Sequence, residues 1–72
     1  MDNRGRALRT FRIYEMARQK AGVTDYAVAQ DAKVSSSCIC DWRHGRYTPK
    51  ADKLYRISKS LGIPFDAFME GE

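Results

Sequence analysis

The side chains best suited to metal binding or thiol chemistry in this sequence are Cys38, Cys40 and His44. On a helix, Cys40 and His44 lie at i and i+4 and share one face, whereas Cys38 and Cys40 diverge by roughly 200°. Structural zinc needs a closed tetrahedral set of ligands, and the sequence contains no further cysteine or histidine. We therefore expect no metal, no cofactor and no disulfide.

The size of the chain also argues against a thiol enzyme. At 72 residues, the chain is near the lower limit for a single stable core. A Cys–His nucleophile pair needs a pocket and oxyanion donors, and so short a chain offers little room for them. We expect a binding protein and not an enzyme.

Charge and hydropathy narrow the class of partner. The formal net charge of +4 favours an acidic partner. The amino terminus has no apolar signal core, and no apolar run approaches the roughly 20 residues that a membrane span needs. The sequence predicts a reduced, cytoplasmic protein with no membrane partner.

The elements that must position these side chains all have helical spacing. A first helix is predicted from about Ala7 to Ala21, closed by Gly22, with residues 1–6 frayed. Its apolar stripe comprises Leu8, Phe11, Tyr14, Ala17 or Arg18, and Ala21.

Two short helices joined by a tight turn follow. Thr24 is the predicted cap of the second helix, which ends near Ala32, and Ser35 is the predicted cap of a third helix over residues 36–44. Gly45 supplies a left-handed stop. The inward-facing residues are Val28, Ala29, Ala32, Ile39 and Trp42. This arrangement can hold the third helix against the major groove of a duplex.

Two further helices complete the prediction. Pro49 is expected in the first turn of a fourth helix, where its missing amide is tolerated. Gly62 ends this helix and Pro64 opens a fifth. Their apolar faces comprise Leu54, Ile57, Ser58 and Leu61, and then Phe65, Phe68 and Met69. The fold class is a compact all-α, five-helix bundle with a helix-turn-helix, in one domain over residues 1–72.

From Tyr14 to Met69, the sequence resembles the Cro and phage-repressor-like helix-turn-helix family, often called the XRE family. The resemblance rests on Gly22-Val23-Thr24, Val28-Ala29, Val34-Ser35, Ile39, Trp42, Gly45, Pro49, Leu54, Ile57, Leu61-Gly62-Ile63, Phe65 and Phe68. The run from Asp41 to Arg46 is similar to small regulators of Gram-positive bacteria and their phages. A lambda-repressor-like DNA-binding domain is thereby implied.

The resemblance also implies a function. Members bind double-stranded DNA, usually as homodimers on a palindromic operator, and repress or activate transcription. The positions that touch bases in the family correspond to Ser36, Ser37, Cys40 and Asp41. Those that contact phosphate correspond to Thr24, Asp25 and Ser35, the first two through the backbone amides of the second helix.

Further phosphate ligands are expected after the third helix, where the chain would pass the DNA backbone. The candidates are Arg43, Arg46, Tyr47 and Lys50. Trp42 is expected in the core.

The sequence departs from the family pattern at two places. Lys33 replaces a common turn glycine, so we expect an αR-like or mildly strained backbone there. Arg43 replaces a glutamate that pairs with an arginine at position 18 in many members. Arg43 is therefore expected to point to solvent or phosphate, and Arg18 to need another acceptor.

Asp41 and the short serines leave a second function open. An antitoxin-like or antirepressor-like protein-interaction module could keep this scaffold without reading DNA.

Overall fold

Five helices form the part of the chain that the computed structural model describes, residues 3–69. They are α1 (Asn3–Ala21), α2 (Asp25–Ala32), α3 (Ser36–Arg43), α4 (Ala51–Leu61) and α5 (Asp66–Met69). No strand occurs within these residues. The prediction of an all-α, five-helix fold is confirmed.

The two predicted serine and threonine caps are formed. The Thr24 side chain accepts a hydrogen bond from the Ala27 amide at 3.1 Å, and Ser35 accepts one from the Cys38 amide at 3.1 Å. Each bond satisfies a backbone donor that has no partner inside its helix. These caps explain why α2 and α3 begin at the predicted residues.

The turn between α2 and α3 has a left-handed residue. Lys33 has a φ of 58° and a ψ of 45°, so the αR-like alternative is wrong and the strained one is observed. The conformation lets the Val34 amide donate to the Ala29 carbonyl at 3.0 Å and closes α2. A non-glycine residue occupies a position that favours glycine.

Helix α1 starts earlier than predicted. It begins at Asn3 instead of Ala7, so the predicted fraying does not hold for residues 3–6; Met1 and Asp2 lie outside the described residues. The buried face also differs, because Leu8 is 43% exposed and Ala21 is exposed. Phe11 and Tyr14 are buried as predicted, and Ala7 and Thr10 are buried beside them. The buried stripe thus begins at Ala7 and not at Leu8, one residue earlier than predicted.

The core is built around Trp42. Its ring centroid lies 5.4 Å from that of Phe11, 5.1 Å from that of Tyr14 and 5.9 Å from that of Phe68. These rings join α1, α3 and α5. Helix α4 closes the core with Leu54, Ile57, Ser58 and Leu61, all buried as predicted.

Both prolines lie outside the helices. Lys50 is the N-cap of α4, so Pro49 precedes the helix and does not occupy its first turn as predicted. Pro64 lies two residues before α5, and its carbonyl accepts from the Ala67 amide at 3.0 Å. Among residues 3–69, no helix has both the length and the apolar content to cross a membrane.

Candidate nucleic-acid interface

The outer face of α3 is formed by short side chains. Ser36, Ser37 and Cys40 are exposed, whereas Ile39 and Trp42 on the same helix are buried. The structure therefore brings three of the four predicted base-reading residues to one accessible face. Because the capping hydroxyl of Ser35 and the buried indole fix the helix at both ends, this face has a defined position on the domain.

Asp41, the fourth predicted base-reading residue, is half-buried and paired with a predicted phosphate ligand. The Nη1 of Arg46 donates to the Asp41 carboxylate at 2.7 Å. The pair neutralises an acidic group that phosphates would otherwise repel. It also directs this carboxylate toward the loop after α3.

Beside α3, the carboxylate of Asp25 accepts hydrogen bonds from two side chains and forms an ion pair with a third. The Tyr14 hydroxyl and Nη2 of Arg43 donate to it, and the Arg18 Nε lies 3.0 Å from its Oδ1. Arg18 also donates to the Val23 carbonyl at 2.8 Å. Asp25 therefore supplies the carboxylate partner for Arg18 in place of the glutamate that Arg43 replaces. It also connects α1, α2 and α3.

The orientation of Arg43 corrects a prediction. Instead of extending to solvent or phosphate, its guanidinium pairs with Asp25 and lies over the Phe11 ring, 5.5 Å from the centroid. To contact a phosphate, Arg43 would have to leave a carboxylate and an aromatic face. Its role as a phosphate ligand stays a prediction.

Burial and the Asp25 carboxylate together raise the pKa of the Tyr14 hydroxyl. The first cause is desolvation, and the second is the hydrogen bond to Asp25. Tyr14 therefore stays a neutral donor.

The remaining predicted phosphate ligands lie at the starts of helices and in the loop after α3. Thr24 and Ser35 are exposed at the starts of α2 and α3, and Lys50 is exposed at the start of α4. Tyr47 is half-buried, and the Cys38 thiol beside its hydroxyl, together with desolvation, raises the pKa of Tyr47 to about 12. Tyr47 is thus an uncharged hydrogen-bond donor at neutral pH.

Tyr26 is part of this face and was not predicted from the sequence. It is 65% exposed and its hydroxyl accepts from the Gln30 side chain at 2.7 Å. With Ser36 and Cys40 it lines a cleft of about 260 Å³ between α2 and α3. The available signal was an aromatic residue on the otherwise polar side of the second predicted helix.

Cys40 and His44 are neighbours at the end of α3. The Cys40 Sγ lies 3.7 Å from Nδ1 of His44, and this nitrogen also lies 2.8 Å from the Cys40 carbonyl. The residues that the structure describes contain no group of three or more potential metal ligands.

The sequence matches no protein-family model and no curated protein, but the fold matches solved structures. The restriction–modification controller protein C.AhdI from Aeromonas hydrophila superposes with a TM-score of 0.79 at 11% identity, over 86% of this chain and 94% of that one. The clp gene regulator ClgR from C. glutamicum gives 0.79 at 18% identity, over 92% and 86% of the two chains.

A third similar structure belongs to a longer protein. An HTH_3 family transcriptional regulator from Vibrio cholerae gives a TM-score of 0.78 at 23% identity, over 92% of this chain and 37% of that one. The chain therefore has the helix-turn-helix fold found in these transcriptional regulators.

Proposed function

We propose that this protein is a sequence-specific, double-stranded DNA-binding transcriptional regulator that reads the major groove with α3. The observation that supports the proposal best is the exposed face of Ser36, Ser37 and Cys40 on a helix fixed by Ser35 and Trp42. Short side chains allow a helix to approach base edges closely. The names of the similar structures, which are regulators and controllers, agree with this function.

Phosphate contacts position α3 in this proposal. Helix α2 presents its free backbone amides at Thr24 and Asp25, and α3 presents those after Ser35. Arg46, Tyr47 and Lys50 supply side-chain donors from the loop that follows α3. We assign most of the affinity to these contacts and the sequence preference to the serines and Cys40. Arg46 must exchange the Asp41 carboxylate for a phosphate to take part.

Binding as a homodimer to a palindromic operator is part of the proposal. We place the subunit contact on the apolar face of the fifth helix, where Phe65, Phe68 and Met69 were predicted, but Phe68 is fully buried against Trp42 and belongs to the core. Phe65 and Met69 remain, together with the half-exposed Tyr55, whose ring lies 6.4 Å from that of Phe65. A dimer on these residues should place two α3 helices about 34 Å apart. Light scattering that finds monomers both free and on DNA would remove this part of the proposal.

Selection of binding sites from randomised duplex DNA tests the main proposal. The wild type should enrich a defined motif, and the double change Ser36→Ala with Ser37→Ala should alter that motif. Arg46→Ala should instead weaken binding to all duplexes by a similar factor. Equal effects of the two variants would contradict the division between base-reading and phosphate-binding residues.

A mobility-shift assay separates DNA binding from the alternative, an antitoxin-like or antirepressor-like protein-interaction module. The exposed Tyr26 beside α3 favours that alternative, because aromatic residues are enriched in protein interfaces. Absence of any mobility shift at low salt, together with copurification of a protein partner, would establish it. A shift that weakens steeply with salt would establish DNA binding.

A further inference from the structure

The start of α1 lies beside the loop that follows α3. Arg6, from α1, lines a cleft of about 220 Å³ together with Arg46, Tyr47 and Thr48. The expectation that residues 1–6 are frayed excluded Arg6 from the predicted site. Because α1 begins at Asn3, this guanidinium instead projects from a formed helix.

A chain of hydrogen bonds fixes this part of α1 to α3. The Trp42 Nε1 donates to Thr10 Oγ1 at 2.9 Å, and the Thr10 hydroxyl lies 3.0 Å from the Arg6 carbonyl and 3.1 Å from that of Ala7. Trp42 is 0% exposed and Thr10 is 1% exposed. The backbone at Arg6 is therefore held in register with α3 through a Trp42–Thr10 hydrogen bond that is buried.

A second contact brings the helices together at Gly45. A Cβ atom at this position would lie 3.0 Å from Arg4 Cγ and 3.3 Å from two carbons of Leu8. Gly45 also has a φ of +74°, a conformation that favours glycine. The first turns of α1 thus pack directly on the end of α3, and the exposed Leu8 is partly covered by this contact.

The side chains that line the cleft are suited to an anion. Two guanidinium groups and the hydroxyls of Tyr47 and Thr48 are potential donors. Beside the cleft, Asp41 pairs with Arg46. Because the Arg46 side chain is 61% exposed, this pair adds little stability and can be replaced by a stronger anion.

We propose that Arg6, with Arg46, Tyr47 and Thr48, binds one phosphodiester of duplex DNA next to the segment read by α3. This inference rests on the proposed function and adds α1 to the DNA-binding surface. The chain of hydrogen bonds through Trp42 and Thr10 gives the contact a fixed position relative to the groove. A guanidinium in that position binds phosphate in a sequence-independent manner.

The test compares Arg6→Gln with Arg12→Gln. Both residues are exposed arginines of α1, but Arg12 lies on another face, beside Leu8 and Arg9. Affinity for the selected duplex is measured over a range of salt concentrations. Arg6→Gln should lose one phosphate contact. The slope of the logarithm of the binding constant against the logarithm of the salt concentration should therefore fall in magnitude by about 0.9, and binding to all duplexes should weaken roughly five-fold. Arg12→Gln should leave both the slope and the motif unchanged.

Arg6→Lys distinguishes a lost charge from a damaged helix. It should restore most of the slope, and circular dichroism should show the same helix content in all variants. Equal slopes for Arg6→Gln and the wild type, or equal losses for Arg6→Gln and Arg12→Gln, would overturn the inference while leaving the proposed function intact. A wild type that does not bind duplex DNA would overturn the proposed function as well.

Discussion

At the scale of single residues, Asp25 has the most partners near the proposed interface. Its carboxylate accepts from Tyr14, and it pairs with Arg18 and Arg43. The Arg18 side chain is only 21% exposed, and its buried Nε is not aligned for a hydrogen bond with any acceptor. The ion pair with Asp25 is therefore the main compensation for this desolvated charge.

Asp25→Asn tests the energetic weight of this network. The change keeps the size of the side chain but removes the charge that faces two guanidinium groups. We expect the free energy of unfolding to fall by about 2 kcal/mol, as measured by urea denaturation. The control, Asp31→Asn on the exposed side of α2, should change it by no more than about 0.5 kcal/mol. Similar losses in the two variants would contradict the assigned role of Asp25.

Tyr47 predicts a pH dependence in the alkaline range. Because its pKa rises from 10.0 in the reference state to about 12 in the fold, the folded protein retains a proton that the unfolded chain releases. Stability from this source is complete below pH 10 and is lost as the pH rises toward 12. In urea denaturation at several pH values, Tyr47→Phe should lose less stability over this range than the wild type. Parallel pH profiles would show that Tyr47 makes no such contribution.

At the scale of elements, the turn between α2 and α3 determines the direction in which α3 runs. Lys33 adopts a left-handed conformation there, whereas Gly45 and Gly62 occupy the similar positions after α3 and α4. A lysine in this conformation has a steric penalty that glycine lacks. The turn is therefore formed with some local strain.

The strain predicts a stabilising substitution. Lys33→Gly should raise the free energy of unfolding by about 0.5 kcal/mol, because relief of the left-handed strain exceeds the added flexibility of the unfolded chain. The same change inside α4, Lys59→Gly, should lower it by about 1 kcal/mol, since glycine disfavours a helix interior. Thermal unfolding measures both changes. A loss of stability in Lys33→Gly would contradict the account of the turn.

At the scale of the whole molecule, one aromatic core connects the interface to the rest of the fold. Trp42 from α3 contacts Phe11 and Tyr14 from α1 and Phe68 from α5. Only a four-residue helix holds Phe68 in place. The position of α3 therefore depends in part on the burial of Phe68, in addition to the contacts with α1.

Phe68→Ala should consequently affect the whole domain. Removing a fully buried ring from a core typically lowers stability by about 3–5 kcal/mol, which is comparable to the total for a domain of this size. We expect a largely unfolded chain at physiological temperature by circular dichroism. Met69→Ala, at the adjacent and partly exposed position, should retain a cooperative transition. A well-folded Phe68→Ala variant would show that α5 does not support α3.

Local signals predicted most of the fold correctly, and tertiary contacts explain where they failed. The caps at Thr24 and Ser35 and the stop at Gly62 depend on neighbouring residues only, and all three were predicted. The early start of α1 depends on Thr10 and Gly45, which are far apart in the sequence. No local pattern shows that contact, so Arg6 was missed.

The candidate site was predictable to a similar extent. The family resemblance implied that Ser36, Ser37, Cys40 and Asp41 face outward, and the first three are exposed. The pairing of Arg43 with Asp25 joins residues 18 positions apart on two helices. The sequence contains no signal for this pairing, because several arginine and lysine side chains could pair with such a carboxylate. Geometry had to select the partner.

Trp42 is the one tryptophan in the sequence, and its indole is sealed inside the domain. Intrinsic fluorescence consequently reports on a single environment at the back of α3. A duplex that docks on the outer serines without rearranging the interior should leave the emission wavelength unchanged, whereas denaturation should shift it strongly to the red. Any spectral change upon adding DNA would therefore reveal an internal motion that accompanies recognition.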